Sequence, residues 1–309
     1  MLDISIFFCE PEEQLMKKRL FKGAATALVT PFKKDGSLDL DGLGSLIEHQ
    51  IEGGISALVL AGTTGEGSTL TFDEFSLLIA KANEFVHHRV PLIVGTGSND
   101  TATALKRSLE AEKRGADGLL IVTPYYNKTT QSGLIRHYCT IADRVHTPII
   151  LYNVPSRTGL KIEPQTCKVL SEHPNIIGIK EASGNISNTL DIAASCPNLS
   201  LYSGNDDQIL PILALGGDGV ISVASNIIPR EIQQICNFFN ENEISKALHI
   251  QKYFLPLFRA LFCQVNPIPI KYAMQVLDLP SGEPRLPLIH SDDEAAVMIK
   301  KTLHEVGLY

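Results

Sequence analysis

Eight short apolar runs rich in Val, Ile and Leu recur along the chain at intervals of about twenty to thirty-five residues, and this rhythm restricts the fold more than any other feature. The runs are Ala24 to Thr30, Ala57 to Ala61, Pro91 to Gly95, Gly118 to Thr123, Pro148 to Asn153, Ile176 to Lys180, Leu199 to Ser203 and Gly219 to Val223. Most are uniformly apolar rather than alternating, the pattern of parallel strands covered on both faces. Amphipathic stretches of helical length separate them, among them Leu40 to Glu52, Thr71 to Val86, Thr101 to Lys113 and Leu134 to Asp143. Strand and helix alternating eight times predicts an α/β fold, a (β/α)8 TIM barrel in which each helix carries the crossover that a parallel neighbour requires.

The pattern changes at both ends. Ile4 to Phe8 is apolar but far too short to span a bilayer, and no basic segment precedes it, so residues 1–20 read as an N-terminal extension. Met16-Lys-Lys-Arg-Leu-Phe21 looks like an alternative translation start, because the first strand follows directly. After the eighth run the chain becomes helical: Glu231 to Asn240, Glu243 to Cys263, Ile270 to Leu277 and Glu294 to Val306. The expectation is a catalytic barrel over 21–243 and a small helical domain over 244–309. A length of 309 residues with 44% hydrophobic content suffices for one large core plus such an appendage.

A net charge of −7 argues against nucleic acid or an anionic membrane as partner. The six cysteines, at 9, 139, 167, 196, 236 and 263, are scattered without a C-x-x-C pair, so a reduced cytoplasmic setting and no metal are the expectation. None of the nine histidines falls in a loop after a strand, which leaves other residues to carry protons.

Those loops are nonetheless where chemistry belongs in a barrel of this kind, at the carboxyl ends of the strands. Lys180 ends the sixth run at that face. A lone strand-end lysine commonly snorkels to water, but one held in apolar surroundings can give up its proton and attack a carbonyl carbon. Tyr152, near the end of the fifth run, is on the neighbouring strand and brings a phenol within reach of a group bound at Lys180. Thr63 and Thr64 can extend a chain of hydroxyls from the second run. Gly62-Thr-Thr-Gly-Glu-Gly67 lacks the Lys-Ser/Thr ending of a nucleotide loop; its glycines suit backbone N–H groups converging on a small anion. Arg157, in a Pro-Ser-Arg-Thr-Gly turn, offers a fork-shaped donor for a carboxylate.

Six segments together resemble the dihydrodipicolinate synthase family: Gly62 to Glu66, Pro124 to Asn127, Tyr152 to Gly159, Gly178 to Ala182, Gly217 to Ser222 and Asn266 to Lys271. The resemblance runs from about Phe21 to the C-terminus. It implies aldol-type condensation of pyruvate with L-aspartate 4-semialdehyde, the first committed step toward diaminopimelate and lysine, without cofactor or metal. Carried over by motif, Lys180 forms the imine with pyruvate, and Tyr152, Thr63 and Tyr126 form a proton relay, with Tyr126 reaching across a tight-dimer interface. Thr64 and the backbone at Ile221 hold pyruvate, Gly204 lines the pocket and Arg157 binds the semialdehyde carboxylate. The family commonly forms a homotetramer, a dimer of dimers. N-acetylneuraminate lyase and the 2-keto-3-deoxy sugar acid aldolases share the lysine and tyrosine but lack the paired threonines followed by Pro-Ser-Arg-Thr-Gly. A barrel that has lost catalysis conflicts with the complete set of expected residues.

One departure concerns feedback. In lysine-inhibited members of the family, a dimer-interface site uses two histidines and a glutamate with an asparagine and a tyrosine. Asn99 and Tyr125 match, but Phe72 and Phe75 stand at the histidine positions and Thr103 at that of the glutamate. The expectation is weak or absent inhibition by L-lysine.

Overall fold

The computed structural model describes residues 19–309, so most of the expected extension lies outside the described residues. Eight strands form one closed parallel barrel in sequence order: β1 (Gly23–Ala27), β2 (Ala57–Leu60), β3 (Leu92–Gly95), β4 (Gly118–Val122), β5 (Ile149–Asn153), β6 (Ile176–Glu181), β7 (Ser200–Ser203) and β8 (Gly219–Ser222). Ala25 pairs with both Ala57 and Ile221, so β1 closes the sheet between β2 and β8. The helices are α1 (Leu40–Glu52), α2 (Phe72–Val86), α3 (Thr101–Lys113), α4 (Gln131–Ala142), α5 (Pro155–Thr158), α6 (Pro164–Ser171), α7 (Ile186–Ser195), α8 (Ile209–Ala214) and α9 (Pro229–Asn240). They are followed by α10 (Ile244–Tyr253), α11 (Leu255–Ala260), α12 (Ile268–Val276) and α13 (Asp293–Glu305). No helix among the described residues is long and apolar enough to cross a membrane.

Alternation along each strand divides the core in two. Leu58, Leu119, Leu151 and Ile179 face the surrounding helices, whereas Val59, Leu120, Ile150, Tyr152 and Ile221 fill the barrel interior. At the amino end of the barrel, Phe21 stacks on Tyr202 with ring centroids 4.2 Å apart, and the Tyr202 hydroxyl donates to the Phe21 carbonyl. Among the described residues the interior is therefore packed at this level.

Local signals set the helix starts. Thr71 caps α2 and Glu74 returns the bond to the Thr71 N–H, a reciprocal capping box. Asp39, Asp100, Thr130, Asn185 and Asp292 cap α1, α3, α4, α7 and α13 through side-chain oxygens. The expected single helical stretch from 243 to 263 is two helices. Pro256 has no N–H and its ring cannot follow a continuous helix, so the chain breaks after Tyr253 and restarts with proline in the first turn of α11. After β8, α9 packs on β1, and its Gln233 accepts from the Ala24 N–H; α11 and α12 pack against α13.

Candidate active site

Strand register places the two residues that matter most. Tyr152 and Lys180 are direct partners in the β5–β6 ladder, so both point into the barrel at the same level. Lys180 is only 5% exposed, and its Nζ lies 4.5 Å from the centroid of the Tyr152 ring. The lysine stem needs room on its other side, which Gly204 supplies: a Cβ there would stand 3.1 Å from Lys180 Cε and 2.5 Å from the Ala182 Cβ. The Gly204 N–H donates to the Glu181 carbonyl at 2.7 Å, pinning the end of β7 against β6.

Above Lys180 opens a cavity of about 320 Å³ whose wall contains Thr63, Thr64, Tyr152, Arg157, Lys180 and Gly204, together with apolar Val59, Leu120, Val154 and Val223. Six of the eight residues anticipated at the site therefore meet around one space. The Ile221 side chain is fully buried in the barrel interior, in keeping with an expected role for its backbone alone, and Val223 on the same segment lines the cavity. Tyr126 does not line it. That residue has φ +71° and is 91% exposed, so its ring stands away from its own barrel.

The Gly62–Gly67 loop presents its threonines by folding on itself. The Glu66 and Gly67 N–H groups donate to the Thr63 and Gly62 carbonyls, so these two donors close the turn rather than converge on an anion. Thr30 Oγ1 donates to the Gly65 carbonyl, and Gly67 is indispensable because a Cβ there would overlap the Ala61 carbonyl.

The roof comes from the C-terminal segment, a role that sequence reasoning missed although it noted Asn266 to Lys271 as a motif. Asn266 Nδ2 donates to Thr64 Oγ1 at 3.0 Å, and its carbonyl accepts from Arg157 Nη2 at 3.2 Å. Lys271 pairs with Glu66 at 2.5 Å, both side chains being 1% exposed, and sits 4.3 Å from the Phe32 ring centroid. Burial holds the Lys271 amine below the ordinary lysine range, while the Glu66 carboxylate pulls the other way. The Arg285 N–H completes the Glu66 cage, and its guanidinium grips Glu74 at the start of α2. That guanidinium holds Glu74 at about 2, well below the usual 4.5.

A second chamber of about 310 Å³ shares Thr63, Tyr152 and Arg157 with the first and adds Arg107 and Tyr125. Arg107 Nη2 donates to the Gly67 carbonyl at 2.6 Å and its guanidinium covers the Phe75 ring at 4.7 Å; burial pushes it below its ordinary range. Nearby, Lys106 Nζ lies 4.3 Å from the Phe72 centroid. Thr103 donates to Asp100, whose carboxylate is taken up in capping α3.

A family model described as the dihydrodipicolinate synthetase family matches residues 20–306. The chain belongs to that family. The 4-hydroxy-tetrahydrodipicolinate synthase of Caldicellulosiruptor bescii is 50% identical over 289 residues, covering 94% of this chain and 98% of its own. The dihydrodipicolinate synthase of Thermotoga maritima superposes with a TM-score of 0.92 at 40% identity, over 94% of this chain and 100% of that one. The family enzyme of Cyanidioschyzon merolae, solved with lysine bound, gives 0.91 at 40% identity, again over 94% and 100%. These matches span the barrel and the C-terminal helices together.

Proposed function

We propose that this chain condenses pyruvate with L-aspartate 4-semialdehyde to give 4-hydroxy-tetrahydrodipicolinate, in the cytoplasm, as the entry to diaminopimelate and lysine. The observation that carries this is a buried lysine facing a tyrosine at the carboxyl ends of the strands in a member of this family. The Lys180 amine adds to the pyruvate ketone, and loss of water leaves an imine. The protonated imine draws electrons from the methyl group, which then loses a proton to the relay of Tyr152, Thr63 and Tyr126. The resulting enamine attacks the aldehyde carbon. The amine of the semialdehyde then adds to the imine carbon and displaces Lys180, closing the ring and restoring the free lysine.

Thr64 and the Ile221 backbone hold the pyruvate carboxylate, Gly204 keeps the space open, and Arg157 receives the semialdehyde carboxylate. Tyr126 completes the relay of a second subunit; its 91% exposure fits a side chain meant for another copy. The active unit is at least a dimer, and two such dimers form the tetramer. Residues 21–243 form the catalytic barrel and 244–309 a helical domain that roofs it. Trapping with borohydride and pyruvate tests the core of this reading: mass added at Lys180 supports it, and an unmodified lysine would overturn it. Product formation from pyruvate and semialdehyde, against cleavage of sialic acid, separates it from the related aldolases.

Inhibition by L-lysine, bound in the structure of the Cyanidioschyzon merolae relative, is weak or absent in this chain. Lys106 and Arg107 bring positive charge against Phe72 and Phe75 where a cationic ligand needs a carboxylate, and desolvating an unpaired ammonium costs several kcal/mol. Half-maximal inhibition at submillimolar lysine would contradict this.

A further inference from the structure

Two residues beyond Gly204, a carboxylate is sealed into the barrel mouth. Asp206 is 2% exposed and sits in the tight turn that follows β7. Its Oδ2 accepts from the Val223 and Ala224 N–H groups at 3.1 and 2.9 Å, anchoring the segment after β8, and its own carbonyl accepts from Gln251 Nε2. Val223 lines the Lys180 cavity, so this anchor sets one of its walls. Burial raises the pKa of Asp206, while hydrogen bonds from Ser222 and from the Ala224 and Val223 N–H groups and, least of all, the charge of Lys180 favour its ionised form. The other buried carboxylate beside Lys180 is differently placed. Glu181 is the next residue on the strand, so it points to the opposite face, where Asn153 Nδ2 and the Ser183 N–H bind it at 2.7 Å.

When the imine of Lys180 with pyruvate is protonated, a cation stands in a largely buried wall of the cavity. An ionised Asp206, already desolvated and held by two N–H groups, would stabilise that cation without reorganising when it forms. We propose that Asp206 is a positioning residue of this enzyme, holding the Val223 wall and serving as the buried counter-charge of the Lys180 iminium. The inference rests on the Schiff-base reading above.

The test follows imine formation with pyruvate alone, by borohydride trapping across a pyruvate titration, in wild type, Asp206→Asn, Asp206→Ala and Asp206→Glu, each with its melting temperature. Asparagine can still accept from Val223 and Ala224 through its side-chain oxygen but carries no charge. Asp206→Asn is expected to melt close to wild type while needing about tenfold more pyruvate for half-maximal trapping, the effect of losing one nearby opposite charge. Asp206→Glu, which keeps the charge, is expected to restore trapping toward the wild-type midpoint. Asp206→Ala is expected to lose both thermal stability and affinity for pyruvate. Wild-type trapping by Asp206→Asn would reduce Asp206 to a backbone anchor and overturn the proposal, as would failure of both uncharged variants to fold. Absence of trapping in wild type would instead refute the Schiff-base reading itself.

Discussion

A methyl group added at position 204 would press on both Ala182 and the stem of Lys180, so the missing side chain there decides where the lysine can lie. Gly204→Ala is expected to displace Lys180, lowering turnover, and to cost about 1–3 kcal/mol of stability through overpacking. Parallel activity assays and urea unfolding would check both effects. Lys180→Ala is expected to lose condensation activity by several orders of magnitude with the fold retained, and near wild-type turnover would exclude the imine. Tyr152→Phe keeps the ring against Lys180 and removes the hydroxyl, so kcat is expected to fall about 10²–10⁴-fold with little change in melting temperature. Lys180 was legible in the sequence because a cation ending a buried apolar run needs a reason. Asp206 was not, since an acidic residue after Ser-Gly-Asn reads as a solvated loop and only the fold shows it sealed. Val223 shows the same limit at finer grain: the motif located the segment through the Ile221 backbone, but only packing shows that the Val223 side chain lines the cavity.

The elements were legible where a single signal dominated. Short apolar runs, most of them uniform, located all eight strands with ends shifted by at most three residues, because burial on both faces leaves little competing pattern. The pairings that roof the site were not readable, since Asn266 meets Thr64 and Lys271 meets Glu66 from about two hundred residues away and no local period encodes such partners. Lys271→Met would strand the buried Glu66 carboxylate, and a loss of about 3–5 kcal/mol in urea unfolding is expected, largely recovered in the Lys271→Met/Glu66→Gln double variant. If the single variant were as stable as wild type, the pair would contribute nothing to the clamp. The Glu74–Arg285 link makes an acid-dependent contribution. Because the folded-state pKa lies at about 2 against an ordinary 4.5, the contribution is complete above about pH 4.5 and fades as pH falls toward 2. Glu74→Gln, which preserves a capping side chain, is expected to flatten the stability profile in that window.

On the scale of the whole molecule, the proposed sharing of Tyr126 between subunits makes activity a property of pairs. Lys180→Ala and Tyr126→Phe are each expected to be strongly impaired, yet dissociating and reassociating a mixture should regain part of the activity, because some mixed dimers then hold one site with both native groups. No recovery on mixing would place Tyr126 in the relay of its own chain. A fully active monomer in sedimentation would do the same. The roof over the barrel mouth carries a different consequence, one of timing. A ribosome releases the eight strands first, and the sheet can close once Ser222 has emerged, but Asn266, Lys271 and Arg285 follow tens of residues later. During synthesis the protein thus acquires its scaffold before its chemistry, and a nascent chain stalled between those points would be a barrel without a finished site.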